Sequence, residues 1–413
     1  MDKRFVYMDY NATTPLRPEV KEAMIADLEI YANASSMHEA GRRAKARVED
    51  ARASVAALIG AKYPEEVFFT SGGSESNNTV FNTMYDLGRR KDQNGKVRNK
   101  IITTAIEHPC VLNSARRLRD EGFPVVFLKV DDKGRIDMDE LRRELDPKSE
   151  GGPTLLVSVM AANNEIGTIE DIAEVARLAK AAGALVHTDA TQAAGKIPVD
   201  VQAWNVDYLT LSCHKIYGPK GIGALYVRKG CPILPLIRGG HQEKGIRAGT
   251  YNNLGILGFG LAARLAKDEL GDYEKNVRAL RSRLRDGFLA KVPYIRINGD
   301  PDHVLPNTLD VSFPGAEGES ILLGLDMEGI EVSTGSACAS GDLEPSHVLM
   351  ATGVGPELAH GSIRFSLGKF TTKEDVDYVL EKLPPIIERL RRISTVSASE
   401  TEKEIDKAAT KKA

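Results

Sequence analysis

Residues 154–189 read TLLVSVMAANNEIGTIEDIAEVARLAKAAGALVHTD, and this stretch decides the fold. TLLVSVMA (154–161) is a mostly apolar run of strand length, the pattern of a strand buried on both faces. EDIAEVARLAKAAG (170–183) places apolar residues at helical spacing and stops at Gly183, a helix-ending residue. ALVHTD (184–189) is a second buried strand. A buried strand, a helix and another buried strand make a unit whose strands run parallel.

The same alternation continues outward. EEVFFT (65–70), VVFLKV (125–130), VDYLTLS (206–212) and GALYVRK (223–229) read as strands. Helical patterns occupy 36–59, with Ser35 or Ser36 as N-cap, and 79–87, 111–120 and 138–145. The expected fold is α/β, a mainly parallel sheet with helices on both faces. After about residue 266 the texture changes. A long helix over 258–291 leads to strand candidates IRING (295–299), NTLDVSF (307–313), IEVST (330–334) and SIRFSL (362–367). EDVDYVLEKLPPIIERLRRI (374–393) reads as a helix broken at Pro384-Pro385. We therefore assign 17–266 to a large domain, 1–16 with 267–394 to a smaller α+β domain, and 395–413 to a polar tail expected to be disordered.

Composition narrows the function. The 413-residue chain is 42% hydrophobic and 27% charged, ordinary values for a globular protein. Its net charge of −3 (55 basic against 58 acidic residues) gives no field that favours nucleic acid or an anionic membrane. A basic cluster at Arg89, Arg90, Lys91, Lys96, Arg98 and Lys100 reads as a solvated surface loop. Four cysteines (110, 213, 231, 338) form no C-x-x-C pair and no disulfide scaffold, which fits a reducing cytoplasm. MDKRFVYMDYN has no apolar signal core, and Gly255 to Ala266 is too short to span a bilayer.

Chemistry is concentrated in six places. VSTGSACASGDLEPSHVL (332–349) sets Cys338 among small residues that cannot pack a core, which reads as an accessible thiol able to act as a nucleophile, or, as for most lone cysteines, as an inert small residue. TSGGSESNN (70–78) joins a strand to a helix. Gly72 and Gly73 allow close backbone approach and Ser74 adds a hydroxyl, which suits a phosphate or merely caps the helix. Asp189 ends a buried strand in HTDATQ (187–192), either as a structural hydrogen-bonding residue or as a partner for a heterocyclic nitrogen. In LSCHKIYGPKGIGALYV (211–227), Lys215 follows a strand directly and suits a Schiff base, with Lys220 as its competitor. GIRAGTYNN (245–253) offers Arg247, Gly249 and Thr250 to an anion, or is a plain turn. TTAIEHP (103–109) ends a strand with His108, a residue that stacks on a ring, shuttles protons or is structural. Together they supply what a pyridoxal phosphate enzyme needs: a phosphate cup, an acid for the ring nitrogen, a lysine, a stacking histidine and a thiol.

The motifs also resemble a known family. YMDYNATTP (7–15), SSMHEAGRRA (35–44), FTSGGSESNN (69–78), EHPCVL (107–112), NNEIGT (163–168), HTDATQ (187–192), SCHKIYGPKGIGALYVR (212–228), RAGT (247–250), LPNTLDVSF (305–313), GSACASGDLEPSHVL (335–349) and SIRFSLGKFTT (362–372) occur in an order and spacing similar to cysteine desulfurases of the NifS/IscS type. These are class V aminotransferase-like enzymes of pyridoxal phosphate fold-type I, and the resemblance covers roughly residues 6–393.

The resemblance implies roles. Lys215 would carry pyridoxal 5'-phosphate as a Schiff base and move the substrate α-proton. Asp189 would pair with the pyridine nitrogen, and His108 would stack on the ring. Asn164 and Gln192 would lie near the ring oxygen. Gly73, Ser74, Ser212 and His214 would bind phosphate, and Thr250 would reach the phosphate of the other subunit of a homodimer. Arg364, with Asn164, would bind the carboxylate of L-cysteine. Cys338 would take the sulfur as a persulfide, release L-alanine and pass the sulfur to an acceptor such as an iron–sulfur scaffold protein. No metal is implied. A selenocysteine lyase and an aminotransferase of the same fold are the rival activities. Three features depart from the family pattern: Cys213, either a second thiol near the cofactor or a buried small residue; the long insert near 88–100; and the tail after 395.

Overall fold

The computed structural model describes residues 4–91, 95, 97–335 and 345–394. In chain order its strands are β1 (Val6–Tyr7), β2 (Val67–Thr70), β3 (Lys100–Thr104), β4 (Val125–Leu128), β5 (Thr154–Ser158), β6 (Leu185–Asp189), β7 (Tyr208–Ser212), β8 (Gly223–Val227), β9 (Arg296–Asn298), β10 (Thr308–Ser312), β11 (Ile330–Glu331) and β12 (Ser362–Ser366). Seven of them form one sheet in the order β2-β8-β7-β6-β5-β3-β4. Every pairing is parallel except the two made by β8. The other six strands therefore all end on the same edge.

The expectation of an α/β, mainly parallel sheet covered on both faces holds. Successive residues of one strand feed opposite cores, as the two-residue period of a strand requires. Val157 packs with Val186, Leu209, Ile172 and Val175 on one face. Leu156 packs with Ile101, Val80, Phe81 and Tyr208 on the other. A second sheet, in the order β12-β10-β9, is antiparallel. It shares a core of Leu284, Phe288, Val311, Phe365, Val379 and Leu383 with the helices Leu270–Lys291 and Lys373–Ile393. The N-terminal β1 pairs with β11 beside this second core.

Four local expectations need correction. The helix expected over 258–291 is two helices, Asn253–Asp268 and Leu270–Lys291. They meet at Glu269, whose carboxylate accepts two bonds from Arg17 at 2.7 and 2.8 Å. The last helix runs unbroken from Lys373 to Ile393 through both prolines. Pro384 lacks the N–H that would have bonded Leu380 O, and the Lys291 ammonium donates to that carbonyl instead, at 3.2 Å. The helix Glu39–Leu58 is capped by His38, whose Nδ1 accepts from Gly41 N at 3.2 Å, and not by Ser35 or Ser36. The basic cluster is only partly a solvated loop. Lys100 opens β3 and is fully buried, donating to Glu144 Oε2 and Ser149 Oγ, while Arg98 donates to the carbonyls of Thr154, Ala182 and Gly183. Among the described residues no helix is long and apolar enough to cross a membrane.

Candidate active site

A cavity of about 300 Å³ opens at the shared edge of the parallel strands, where open α/β sheets bind ligands. Gly73, Ser74, His108, Asn164, Asp189, Gln192, Ser212, His214, Lys215 and Arg364 all line it. Strand ends deliver most of them: β2 leads to Gly73, β3 to His108, β5 to Asn164, β6 to Asp189 and β7 to Lys215. Arg364 alone comes from the middle of a strand, β12 of the second sheet. Thr250 is exposed and does not line this cavity. Cys338 lies outside the described residues. The chain enters the Cys338 segment from Gly335, itself part of the cavity wall. On the far side Ser346 donates from its hydroxyl to Glu165.

The helix Gly73–Leu87 starts at the cavity, earlier than the expected residue 79. The first N–H groups of a helix lack intrahelical partners, and Gly73 and Ser74 of this first turn line the cavity. A Cβ added to Gly73 would stand 3.2 Å from Thr191 Oγ1, so this glycine keeps the cup open. That Thr191 hydroxyl is buried and has no hydrogen-bond partner among the described residues.

Asp189 is held on both oxygens yet still faces the cavity. Oδ1 accepts from Thr191 N at 2.9 Å and Oδ2 from Asn77 Nδ2 at 2.7 Å. The hydrogen-bonded structural reading and the binding reading are therefore compatible. Lys215 sits in the short turn after β7 and donates to the carbonyls of Asn11 and, at 2.7 Å, Ala12. Lys220 is exposed and lies outside the cavity wall, whereas Lys215 lines it. Burial, with Lys215 nearby, pushes His214 down to about 4, so it is neutral at ordinary pH. His108 is also lowered, mainly by burial.

Arg364 donates to Asp9 Oδ1 at 2.8 Å and to Asn164 O at 3.1 Å, while its Nε is buried with no partner among the described residues. Asp310 faces it across the β10–β12 register. Burial raises the Asp310 carboxyl to about 7 despite a bond from Asn298 at 2.7 Å.

Several functional-looking residues escaped the sequence reading. Asn11 ties the two sheets together. Its Nδ2 donates to Thr308 Oγ1 at 2.9 Å and Asn164 O at 3.1 Å, and its carbonyl accepts from Lys215 and from Gln192 Nε2. The fully buried Lys196 donates to Gln192 Oε1 at 2.5 Å, and burial drives its amine well below the ordinary lysine value. Cys110 lines the cavity beside His108. Motif position was the only available signal: Asn11 lies in YMDYNATTP and Cys110 in EHPCVL. Cys213 is fully buried and does not line the cavity, which makes it the small core residue of the two readings.

Comparison with known proteins agrees with this architecture. The family model for class-V aminotransferases matches residues 6–379. A cysteine desulfurase IscS of Dictyoglomus turgidum is 50% identical over 397 residues, covering 95% of this chain and 97% of its own. Similar solved structures include a NifS-like protein at 41% identity and TM-score 0.85, covering 94% of this chain and all of its own. Another is SspA in complex with cysteine, 32% identical with a TM-score of 0.74, covering 89% of this chain and all of its own. With a family match over most of its length and half of its residues shared with a full-length relative, the chain belongs to the class-V aminotransferases and, within them, to the cysteine desulfurases of the NifS/IscS type.

Proposed function

We propose that this protein is a pyridoxal phosphate-dependent cysteine desulfurase that converts L-cysteine to L-alanine and retains the sulfur as a persulfide on Cys338. One observation carries the reading. Lys215, Asp189 and Arg364 face a single cavity whose wall leads directly into the Cys338 segment.

The residues fit the cofactor. The helix N-terminus at Gly73, the hydroxyls of Ser74 and Ser212, and the unpartnered Thr191 hydroxyl form a cup with the hydrogen-bond donors a phosphate needs. The neutral His214 adds a ring nitrogen. Thr250 serves the phosphate of a second copy in a homodimer. Asp189 is fixed by two donors and opposes a ring nitrogen as a carboxylate. When bound, pyridoxal phosphate supplies an aldehyde for a lysine and a ring that draws electrons from the substrate.

The chain's own residues do the rest. Arg364 clamps the substrate carboxylate with its planar guanidinium, oriented by Asp9 and the Asn164 carbonyl. Asn164 and Gln192 flank the ring oxygen, with Gln192 oriented by Lys196 and Asn11. Lys215 Nζ takes the substrate α-proton. His108 covers the ring and moves protons through its imidazole. The Cys338 thiolate attacks the sulfur of L-cysteine. A sulfur–sulfur bond forms, the substrate carbon–sulfur bond breaks, and its electron pair stays with the carbon. That carbon then takes a proton and leaves in L-alanine. The persulfide passes to an acceptor protein such as an iron–sulfur scaffold, in the cytoplasm.

The test is sulfide and alanine release from L-cysteine with a thiol reductant, in wild type and Cys338→Ser, with the visible spectrum recorded. The expected result is both products from wild type, with the cofactor band retained and sulfide lost in the variant. Equal activity in the two proteins refutes the thiol mechanism and favours an aminotransferase or a lyase.

A further inference from the structure

EHPCVL places a cysteine two residues after the cavity histidine, and the fold turns that spacing into a contact. His108 is the N-cap of the helix Pro109–Asp120, and its Nδ1 accepts from Cys110 N at 3.2 Å. Cys110 Sγ lies 3.0 Å from the same Nδ1. On its other side Cys110 Sγ accepts from Asn77 Nδ2 at 3.1 Å, and that amide also donates to Asp189 Oδ2 at 2.7 Å. A continuous chain of hydrogen bonds therefore runs from Asp189 through Asn77 and Cys110 to His108.

We propose that Cys110 is a positioning residue for the cavity histidine: anchored by Asn77, it holds the His108 ring with Nδ1 as acceptor and the proton on Nε2. Direction is the core of the argument. A backbone N–H only donates, so Cys110 N fixes Nδ1 as an acceptor. The amide N–H of Asn77 also only donates, so Sγ is the acceptor there and the S–H proton is left for Nδ1. Burial pushes the Cys110 thiol up to about 12, which keeps that proton in place at neutral pH. A neutral ring with an occupied Nδ1 must carry its proton on Nε2. The charged groups that act on the ring from other elements are Asp189 and Glu165, which favour its protonation, and Lys215 and His347, which oppose it. Cys110 thus works through His108, while the thiol that receives sulfur is Cys338. The catalytic meaning of this rests on the desulfurase reading, whereas the tautomer itself does not.

The experiment is ¹⁵N NMR of histidine-labelled full-length protein, with and without added pyridoxal phosphate. His108→Asn assigns the signal, and Cys110→Ala and Cys110→Ser are the variants. Wild type should show an unprotonated Nδ1 and a protonated Nε2. In Cys110→Ala the backbone N–H of residue 110 still donates to Nδ1, so the Nε2–H tautomer should persist, while the titration midpoint should rise by about half to one pH unit, the worth of the lost thiol hydrogen bond. Cys110→Ser, which keeps a donor, should resemble wild type. A wild-type ring protonated on Nδ1 overturns the assignment, as does a Cys110→Ala ring with an unchanged midpoint. If Cys110→Ala fails to fold, Cys110→Val, which also lacks a side-chain donor, takes its place with the same expected rise in midpoint. Absence of sulfide release from wild type would sink the desulfurase reading and leave the tautomer assignment standing.

Discussion

The two sheets contribute to one cavity in opposite ways. The seven-stranded sheet offers residues from beyond its strand ends, where backbone N–H groups and side chains are released from the ladder. The three-stranded sheet offers Arg364 from within a strand, between Asp9 and Asp310. Strand ends can vary without disturbing a core, so they suit a cofactor that needs several separate contacts. A mid-strand arginine is fixed by pairing on its own backbone and is buried with compensating acids, which suits one rigid carboxylate clamp. The first half of the site is held by hydrogen bonds to neutral partners and the second by buried charge.

That contrast can be broken at the large sheet first. Lys215→Ala removes the cavity amine and its hydrogen bonds to the Asn11 and Ala12 carbonyls, so it should fold normally while turnover falls by about 10²–10⁴-fold. Steady-state kinetics alongside circular dichroism checks this, and a poorly folded variant would show that Lys215 is mainly structural. On the small sheet, Arg364→Lys loses the planar fork. KM for L-cysteine should rise about 10–100-fold with a smaller change in kcat, a loss of about 1.5–3 kcal/mol.

The buried acid beside Arg364 gives a pH signature. Asp310 is held at about 7 against an ordinary 3.8, so the folded chain binds this proton more tightly than the unfolded chain. Its stabilising contribution is complete below 3.8 and is lost as pH rises through about 7. Asp310→Asn should therefore flatten part of the fall in urea-unfolding stability across that window, and an unchanged slope would contradict the burial argument. The smallest effect is expected at the cup. Thr191→Val removes an unsatisfied buried hydroxyl, so the cofactor-free protein should gain up to about 1 kcal/mol while cofactor affinity falls roughly 10-fold. Both changes having the same sign would mean that Thr191 does not face the phosphate.

The legibility of the chain followed the same divide. Apolar runs such as TLLVSVMA and VDYLTLS announced β5 and β7 because central parallel strands tolerate little else. The glycine pair before Ser74 and the lysine after β7 were legible because each sits where a strand pattern stops. Lys100 was misread because a charge at the start of a strand looks solvated until Glu144 and Ser149 arrive from another element. The proline pair was misread for the same reason, since Lys291 lies far away in sequence. Asn11 and Lys196 acquire meaning only from partners hundreds of residues or a full turn distant, which no local pattern encodes. Asp310 gave no signal either, because its weakened acidity comes from burial.

The central claim is that sulfur leaves L-cysteine onto Cys338. The most direct measurement is peptide mass mapping of the wild-type protein after a brief reaction with L-cysteine, without reductant. The account predicts one additional sulfur atom on the peptide carrying Cys338, and none on those carrying Cys110 or Cys213. Additional sulfur on Cys110, or on no cysteine while alanine is produced, would contradict it.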